Sequence, residues 1–183
     1  MTILAIDPGL NTGIALSNGF THTMRFSTKD DIAASVCRLG HYLKDLSEKY
    51  NVEKIIVERP FFPPRCKGAV IDLTNALIFE THRQGYTKQI KRKEYNSMTV
   101  RKELLGKGRR SKGQSVKEFD AEIKFNVCQR GFNPANEHEA DAAALICAYH
   151  KINHCEGLSL TTDAPHNGTK LEKKCKNERN RKF

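Results

Sequence analysis

Short apolar runs separated by turn residues open the chain and predict three β-strands. The runs are Ile3–Asp7, Gly13–Ser17 and Thr21–Phe26. The dipeptide Asn18-Gly19 between the last two runs favours a tight hairpin turn. The chain is therefore expected to begin with three strands, of which the second and third form a hairpin.

A helical period replaces this alternation after the third strand. Thr28 is predicted to cap the helix, with Asp31 three residues later in a capping-box position. The next segment, Glu53–Glu58 (EKIIVE), has an apolar centre, which is typical of a strand buried on both faces of an α/β sheet. The hydrophobic residues that repeat along the helix are Ile32, Val36, Leu39, Leu43 and Leu46.

Prolines mark the loop that follows this strand. Arg59–Gly68 (RPFFPPRCKG) contains three prolines, which exclude a helix or the interior of a sheet. The helix predicted at Ala69–Gln84 is apolar around most of its circumference and needs two surfaces to bury against. We expect these to be the sheet and a second copy of the protein. Tyr86–Arg92 (YTKQIKR) is predicted to be an edge strand protected by its lysines.

The remaining pattern is helical and then polar. A short helix over SMTVRKELLG precedes a basic, glycine-rich loop at Gly106–Gln114, and a longer helix ends at Gly131. The last helix is predicted at Asn136–Lys151, after which the hydrophobic pattern stops.

The order of these elements predicts one α/β domain. It would contain a mixed five-stranded sheet flanked by helices on both faces and would span residues 1–152. Residues 153–183 are polar and basic, and we expect them to form a flexible tail that orders when it meets a partner.

Acidic residues at the ends of predicted strands and at the start of the last predicted helix are candidates for a functional site. Two predicted strands end in carboxylates, Asp7 and Glu58, and the last helix begins NEHEADAAAL. His138 and Asp141 are three residues apart and therefore lie on one side of that helix. Its small residues allow close approach to the sheet, so these four side chains are predicted to converge.

Three carboxylates at one half-buried point repel one another and stay ionised together only beside a cation. Oxygen ligands favour Mg²⁺ or Mn²⁺. Two such ions per subunit can hold a phosphodiester for in-line hydrolysis, one activating water and the other stabilising the leaving oxygen. Asp7, Glu58, His138 and Asp141 are therefore candidate metal ligands and catalytic residues.

Each acid also has a structural interpretation when it is considered alone. An acid followed by Pro-Gly, such as Asp7, can accept hydrogen bonds from turn amides, and Glu58 can pair with Arg59. With Asn136 as N-cap, Glu139 occupies the third helical position, where a carboxylate caps backbone amides, so we expect it to be structural.

The charge balance indicates a polyanionic partner. The 183 residues include 31 Lys and Arg against 21 Asp and Glu, a net charge of +10, which favours nucleic acid and, second, an acidic membrane surface. No apolar run approaches the ~20 residues of a membrane span, and no secretory signal opens the chain. We therefore expect a cytoplasmic protein, in a bacterium or a phage-infected host, that is not a membrane protein.

Six cysteines lack C-x-x-C spacing and are expected to be reduced thiols. Cys147, His150, His154 and Cys155 admit a zinc cluster, but their spacing and the absence of a second ligand pair favour the end of an ordinary helix.

Basic and aromatic residues supply candidate DNA contacts. Glycines in the basic loop let phosphates approach the backbone, and aromatic side chains on the proline-rich loop can stack on an unpaired base. Lys107 and Lys112 are the best candidates for contacts near the cut strand. The predicted contacts are Phe61, Phe62, Lys102, Lys107, Arg109, Arg110, Lys112 and Lys117.

These motifs together resemble the RuvC family of Holliday-junction resolvases, in the RNase H-like nuclease superfamily. The resemblance covers residues 2–150 and is carried by ILAIDPGLNTGIA, IIVERPFF, VRKELLGKGRRSKGQSV and HEADAAALICAYH. It assigns metal ligation to Asp7, Glu58 and Asp141, and stacking at the crossover to Phe61 or Phe62. His138 matches those members that carry histidine where others carry aspartate, and Pro63 and Pro64 make the loop stiffer than is typical.

The resemblance implies an RNase H-like fold and a homodimeric endonuclease. Each subunit would nick one of two opposed strands of a four-way DNA junction, in recombination or repair, with Mg²⁺ or Mn²⁺ as cofactor. The alternatives are a nuclease of broader specificity for flaps and forks, a junction-binding protein without catalysis, and an RNA-processing nuclease of the same superfamily.

Overall fold

Five strands form one mixed sheet in the computed structural model, which describes the backbone of residues 1–157 and the side chains of residues 1–153. The strands are β1 (Thr2–Asp7), β2 (Asn11–Leu16), β3 (Thr21–Arg25), β4 (Val52–Arg59) and β5 (Lys91–Asn96). Their spatial order is β3-β2-β1-β4-β5. The β1–β2 and β2–β3 pairs are antiparallel, whereas β1–β4 and β4–β5 are parallel. The predicted mixed five-stranded sheet is confirmed.

Helices cover both faces of this sheet, as predicted. They are α1 (Ile32–Lys49), α2 (Gly68–Thr87), α3 (Ser97–Leu105), α4 (Val116–Cys128) and α5 (Glu137–Gly157). Met1–Ile152 form one compact unit. The predicted flexible tail lies outside the described residues, except at 153–157, which continue α5.

The alternation of side chains along the strands divides the core in two. Leu4 and Ile6 of β1 pack with the apolar faces of α1 and α2. Ile3 and Ala5, on the other face of the same strand, pack with α3, α4 and α5. Every second residue of a central strand therefore points toward α5, which is the property that positions the candidate site.

Two local predictions were wrong. The predicted edge strand starts later than Tyr86: α2 continues to Thr87, Gln89 then adopts a left-handed φ of 55°, and β5 starts at Lys91 at the edge of the sheet. The cap of α1 is Asp31, whose carboxylate accepts a hydrogen bond from the Ala34 amide at 3.0 Å. Thr28 instead lies in a turn that precedes the helix.

Every helix within residues 1–157 is too short or too polar to cross a bilayer. Cys37, Cys66, Cys128 and Cys147 carry free thiols, and burial raises the pKa of Cys147 to about 11. Cys147 lies on α5 and packs into the core between this helix and the sheet. The side chains of the suggested zinc ligands at 154 and 155 lie outside the described residues.

Candidate active site

Parallel pairing brings the two strand-end acids together. Ala5 of β1 is in register with Ile56 of β4, and Ile6 with Val57, so Asp7 and Glu58 follow at the next position of each strand. Ala5 and Ile56 both face α5. Because side chains alternate along a strand, Asp7 and Glu58 face α5 as well.

Small residues let α5 approach this edge of the sheet. The alanines of its first turns are almost completely buried, and Gly13 of β2 lies directly beneath the start of the helix. A Cβ built on Gly13 would lie 1.9 Å from the carbonyl oxygen of His138. The backbone of α5 thus rests on a position without a side chain, opposite Asp7 in the β1–β2 register. Asp141, one turn further along α5, is thereby carried toward Asp7 and Glu58.

A second set of contacts anchors the start of α5 to β3. Glu139 accepts hydrogen bonds from the hydroxyls of Thr21 at 2.8 Å and Thr23 at 3.0 Å, and from the Ala135 amide at 2.8 Å. Although burial raises the pKa of Glu139, these donors lower it overall. The Glu139 amide donates to the Asn136 side chain at 3.1 Å. Glu139 therefore holds the helix in place, the role expected from its position.

The three acids lie within each other's electrostatic field. Burial raises the pKa of Asp7 well above its usual value, and the charges of Glu58 and Asp141 raise it further. Burial and the Glu58 charge raise the pKa of Asp141 to about 7. The pKa of Glu58 is also raised, by burial, against the hydrogen bond that the Ser97 hydroxyl donates to it.

The donor set fits a hard divalent cation. Asp7 and Asp141 accept no hydrogen bond from any residue in the described part of the chain, so their oxygens are available to an ion or to water. Within that part, no three His, Cys, Asp or Glu side chains already surround a single point as a metal cage. Asp7, Glu58 and Asp141 are the residues that would hold the metal.

His138 lies beside Asp7, with its second nitrogen already engaged. Its Nδ1 is 4.0 Å from a carboxylate oxygen of Asp7. The side-chain amide nitrogen of Asn11 lies 3.1 Å from Nε2. A carboxylate oxygen of Glu137 lies 3.6 Å from the same Nε2, so this nitrogen has both a donor and an acceptor within reach. This arrangement suits a proton donor or relay as well as a ligand.

Arg101 completes the site and was missing from the sequence-based set. Its guanidinium opposes the raised pKa of Asp7, of Glu58 and of Asp141. Arg101 and Ser97 are four residues apart on α3 and share one face of the helix. The available signal was topological: α3 starts directly after β5, which lies parallel to β4, so its first turns lie beside the end of β4.

The predicted DNA-contact residues lie in different surroundings. Phe61 is 82% exposed on the proline-rich loop, whereas Phe62 is half-buried and lines a cavity with Ile78 of α2. Lys107 is paired with Glu122 at 2.8 Å and also donates to Ser111 and Gln114, so it braces the basic loop from within. The exposed cations of the set are Lys102, Arg109, Arg110, Lys112 and Lys117.

Protonation of Asp141 should make the stability of the metal-free protein depend on pH. Its pKa rises from 3.8 to about 7 on folding, so the native state is stabilised by protonation. This stabilisation is lost as the pH rises through that interval. Asp141→Asn should therefore raise the melting temperature at pH 8 by a few degrees and flatten the pH dependence. Thermal denaturation in EDTA at pH 5 and pH 8 measures this.

The matched control for that comparison is Asp45→Asn, an exposed aspartate on α1. It should melt like the parent at both pH values. A parent protein that is equally stable at pH 5 and pH 8 would contradict the raised pKa of Asp141. So would an Asp141→Asn protein that is less stable than the parent at pH 8.

Comparisons with solved structures identify the fold. The chain is similar to the structure of Thermus thermophilus RuvC, with 18% identity and a TM-score of 0.67 over 85% of this chain and 97% of that one. It is similar to T. thermophilus RuvC in complex with a Holliday junction substrate, with 15% identity and a TM-score of 0.68 over 85% and 96% of the two chains.

A eukaryotic structure is similar over the same share of this chain. The yeast mitochondrial Holliday junction resolvase Ydc2 matches with 16% identity and a TM-score of 0.51, over 85% of this chain and 82% of that one. No protein-family model matches the sequence, and no curated protein matches it. At these identities the likeness establishes the fold, which is the one implied by the motifs above.

Proposed function

We propose that this chain, which has the fold of RuvC, is a metal-dependent endonuclease that resolves four-way DNA junctions. The observation that carries the proposal is the convergence of Asp7, Glu58 and Asp141 at one edge of the sheet, each within the field of the others. An ordinary structural acid would have a donor for its carboxylate, whereas Asp7 and Asp141 have none in the described part of the chain. T. thermophilus RuvC, whose structure is known in complex with a Holliday junction substrate, and the yeast Holliday junction resolvase Ydc2 share this fold.

The acids would hold Mg²⁺ or Mn²⁺, two ions per subunit, against the phosphodiester. The ions supply charge neutralisation and lower the pKa of a bound water. Asp7 and Glu58 are fixed by strands and Asp141 by a packed helix, so the ligands are positioned before substrate arrives. His138 lies beside Asp7, where its ring could hold the metal or relay a proton. Arg101 offsets the negative charge that the acids and the phosphate bring together.

The substrate class follows from charge and exposed aromatics. A net charge of +10 suits DNA, and the exposed cations around the basic loop would bind phosphates in the strands on either side of the cut. Phe61 projects from a loop next to the end of β4, where its ring can stack on an unpaired base at a branch point. A junction offers such bases at its crossover, and an intact duplex does not.

A synthetic four-way junction tests this function. Incubation with and without Mg²⁺, with nicks mapped on all four strands, should give paired nicks at symmetric positions on two opposed strands only when the metal is present. Equal cleavage of a flap or a Y-fork would establish the broader nuclease, and preference for an RNA–DNA hybrid would establish the RNA-processing alternative. Tight binding without metal-dependent nicking would establish a junction-binding protein.

A homodimer is the assembly that matches a two-fold junction. Phe79 and Tyr86, two turns apart on one side of α2, are 67% and 75% exposed, which leaves an apolar stripe of that helix uncovered in the single chain. We expect a mass near twice 20.7 kDa by light scattering. Phe79→Ser should shift the protein toward the monomer, and a monomeric parent at micromolar concentration would refute this assembly.

Removal of Arg101 should raise the pH required for cleavage. Because its charge lowers the pKa of all three acids, Arg101→Ala should leave them protonated to higher pH and reduce nicking at pH 7 by about 10–100-fold. Arg101→Lys should recover part of the rate. A pH–rate profile that moves upward for Arg101→Ala checks the prediction.

The control is Lys102→Ala, which removes the neighbouring, exposed cation. It should weaken junction binding without moving the pH–rate profile. An unchanged profile for Arg101→Ala would show that Arg101 acts only by binding DNA.

A further inference from the structure

We propose that a cavity between α3 and α4 receives one unstacked base of the strand being cut, and that Asp120 selects bases with an exocyclic amino group over thymine. This inference rests on the proposed nuclease function and adds to it a determinant of cleavage sequence. The base would be the one next to the phosphate held at the acids.

The cavity has the size and the walls that a base requires. It is open to solvent on one side and has a volume of about 590 Å³ between the first turns of α3 and α4 and the basic loop. Met98 and Val116 line it and are 51% and 56% exposed, although both are apolar. Two uncovered aliphatic side chains in one concave site are suited to the faces of a flat, partly apolar group.

Arg101 links the cavity to the acids. It lines the cavity beside Phe119, and its guanidinium lies 5.4 Å from the centroid of that ring. The same guanidinium acts on Asp7, Glu58 and Asp141. A nucleotide whose phosphate lies at the acids therefore has Arg101 beside it, with the cavity on the far side of that residue. Charge complementarity along this path suits a nucleic-acid strand.

The basic loop forms one wall of the cavity, and contacts within the protein fix the position of this wall. Lys107 is paired with Glu122 at 2.8 Å, and the Gln114 amide donates to Glu122 at 2.8 Å. Gly108 packs closely on α3, since a Cβ there would lie 3.0 Å from the Met98 carbonyl oxygen. These contacts use the polar atoms of Lys107 and Gln114 within the protein, and the cavity does not depend on a ligand for its shape.

Asp120 is the carboxylate of this cavity that can read a base edge, whereas Arg109 and Arg110, which also line it, are exposed cations suited to phosphate. Asp120 lines the cavity, is half-buried, and makes no hydrogen bond or ion pair with any described residue. A carboxylate accepts hydrogen bonds and does not donate them, so it pairs with the exocyclic amino group of cytosine or adenine, whereas thymine has an accepting carbonyl at the equivalent position and offers only its ring N3–H. Asp120 would therefore favour amino-bearing bases by about tenfold.

A junction library tests this selection. Four-way junctions with randomised nucleotides around a fixed crossover are incubated with the full-length protein and Mg²⁺, and nicks are mapped by sequencing. The parent should disfavour thymine about tenfold at one position beside the nick. Asp120→Asn, which can both donate and accept, should reduce this ratio below about twofold at that position alone. Asp45→Asn, on the opposite side of the sheet, should leave rate and preference unchanged.

Identical base preferences for the parent and Asp120→Asn would overturn the proposal. So would a parent that nicks well with no preference beside the cut. Both results leave the nuclease function intact, which separates the failure of the cavity from the failure of the catalytic site.

A binding measurement decides the question even if no substrate is cleaved. 2-Aminopurine, which carries an amino group and brightens when it leaves the stack, is placed at each position around the crossover in metal-free buffer. Saturating protein should raise its fluorescence at one position, and Met98→Ala, which removes one wall, should reduce that rise at equal saturation. Equal rises for the parent and Met98→Ala, or no rise at any position, would overturn the proposal.

Discussion

Asp7→Asn should reduce metal-dependent nicking of a four-way junction by more than about a hundredfold, because even the outer partners of metal ligands are worth about 10–100-fold. Asp7 lies at the centre of the acid cluster, where Glu58 and Asp141 both raise its pKa. Its amide replacement keeps the shape and removes the charge that a cation requires. Junction affinity should stay within a few-fold, since phosphate contacts elsewhere supply most of the binding. Single-turnover nicking and metal-free gel-shift titration measure the two quantities.

Asp45→Asn controls for the loss of one negative charge on a protein of net charge +10. It should nick at the parental rate. An Asp7→Asn protein that nicks at that rate would remove Asp7 from the mechanism, whereas equal losses of nicking and affinity would point to a damaged fold, which thermal denaturation would reveal.

Gly13→Ala should have the largest effect on both stability and activity among substitutions outside the acids. The added Cβ would lie 1.9 Å from the His138 carbonyl oxygen, a backbone atom that cannot rotate away. The start of α5 would have to move, which we expect to cost about 2–4 kcal/mol of unfolding free energy. The same movement would displace His138 and Asp141 from Asp7 and reduce nicking beyond the loss in stability.

Gly68→Ala is the matched control, because a Cβ on Gly68 meets nothing within 4 Å at the start of α2. It should be neutral or slightly stabilising, since alanine is the better helix former. Urea unfolding of both variants gives the comparison. A Gly13→Ala protein with parental stability and activity would show that α5 does not rest on this position.

The sheet and the acids could be predicted because their signals are local and their consequences are geometric. A run of apolar residues that ends in a carboxylate locates a strand in the sequence. The alternation of side chains along that strand then predicts which face of the sheet carries the carboxylate. Glu139 could be predicted as structural for the same reason, since its place relative to Asn136 in the first turn of α5 defines the capping role.

The residues that were missed depend on contacts between distant elements. Lys107 pairs with Glu122 across the basic loop, a contact that composition alone does not report. The hydrogen bond between Asn11 and His138 joins residues 127 positions apart. The predicted start of β5 was too early because α2 continues for three residues past the predicted end at Gln84. The chain changes direction only at Gln89, which has a left-handed φ. The hydrophobic periodicity of the sequence does not predict these contacts or this helix end.

The placement of Asp141 on the last helix has a consequence for synthesis. Two of the acids emerge from the ribosome early, but the helix that brings the third is made only after the entire sheet, and it must dock on Gly13 before the acids meet. A chain that ends before α5 carries Asp7 and Glu58 but lacks Asp141, so under the proposed function it would have no complete metal site.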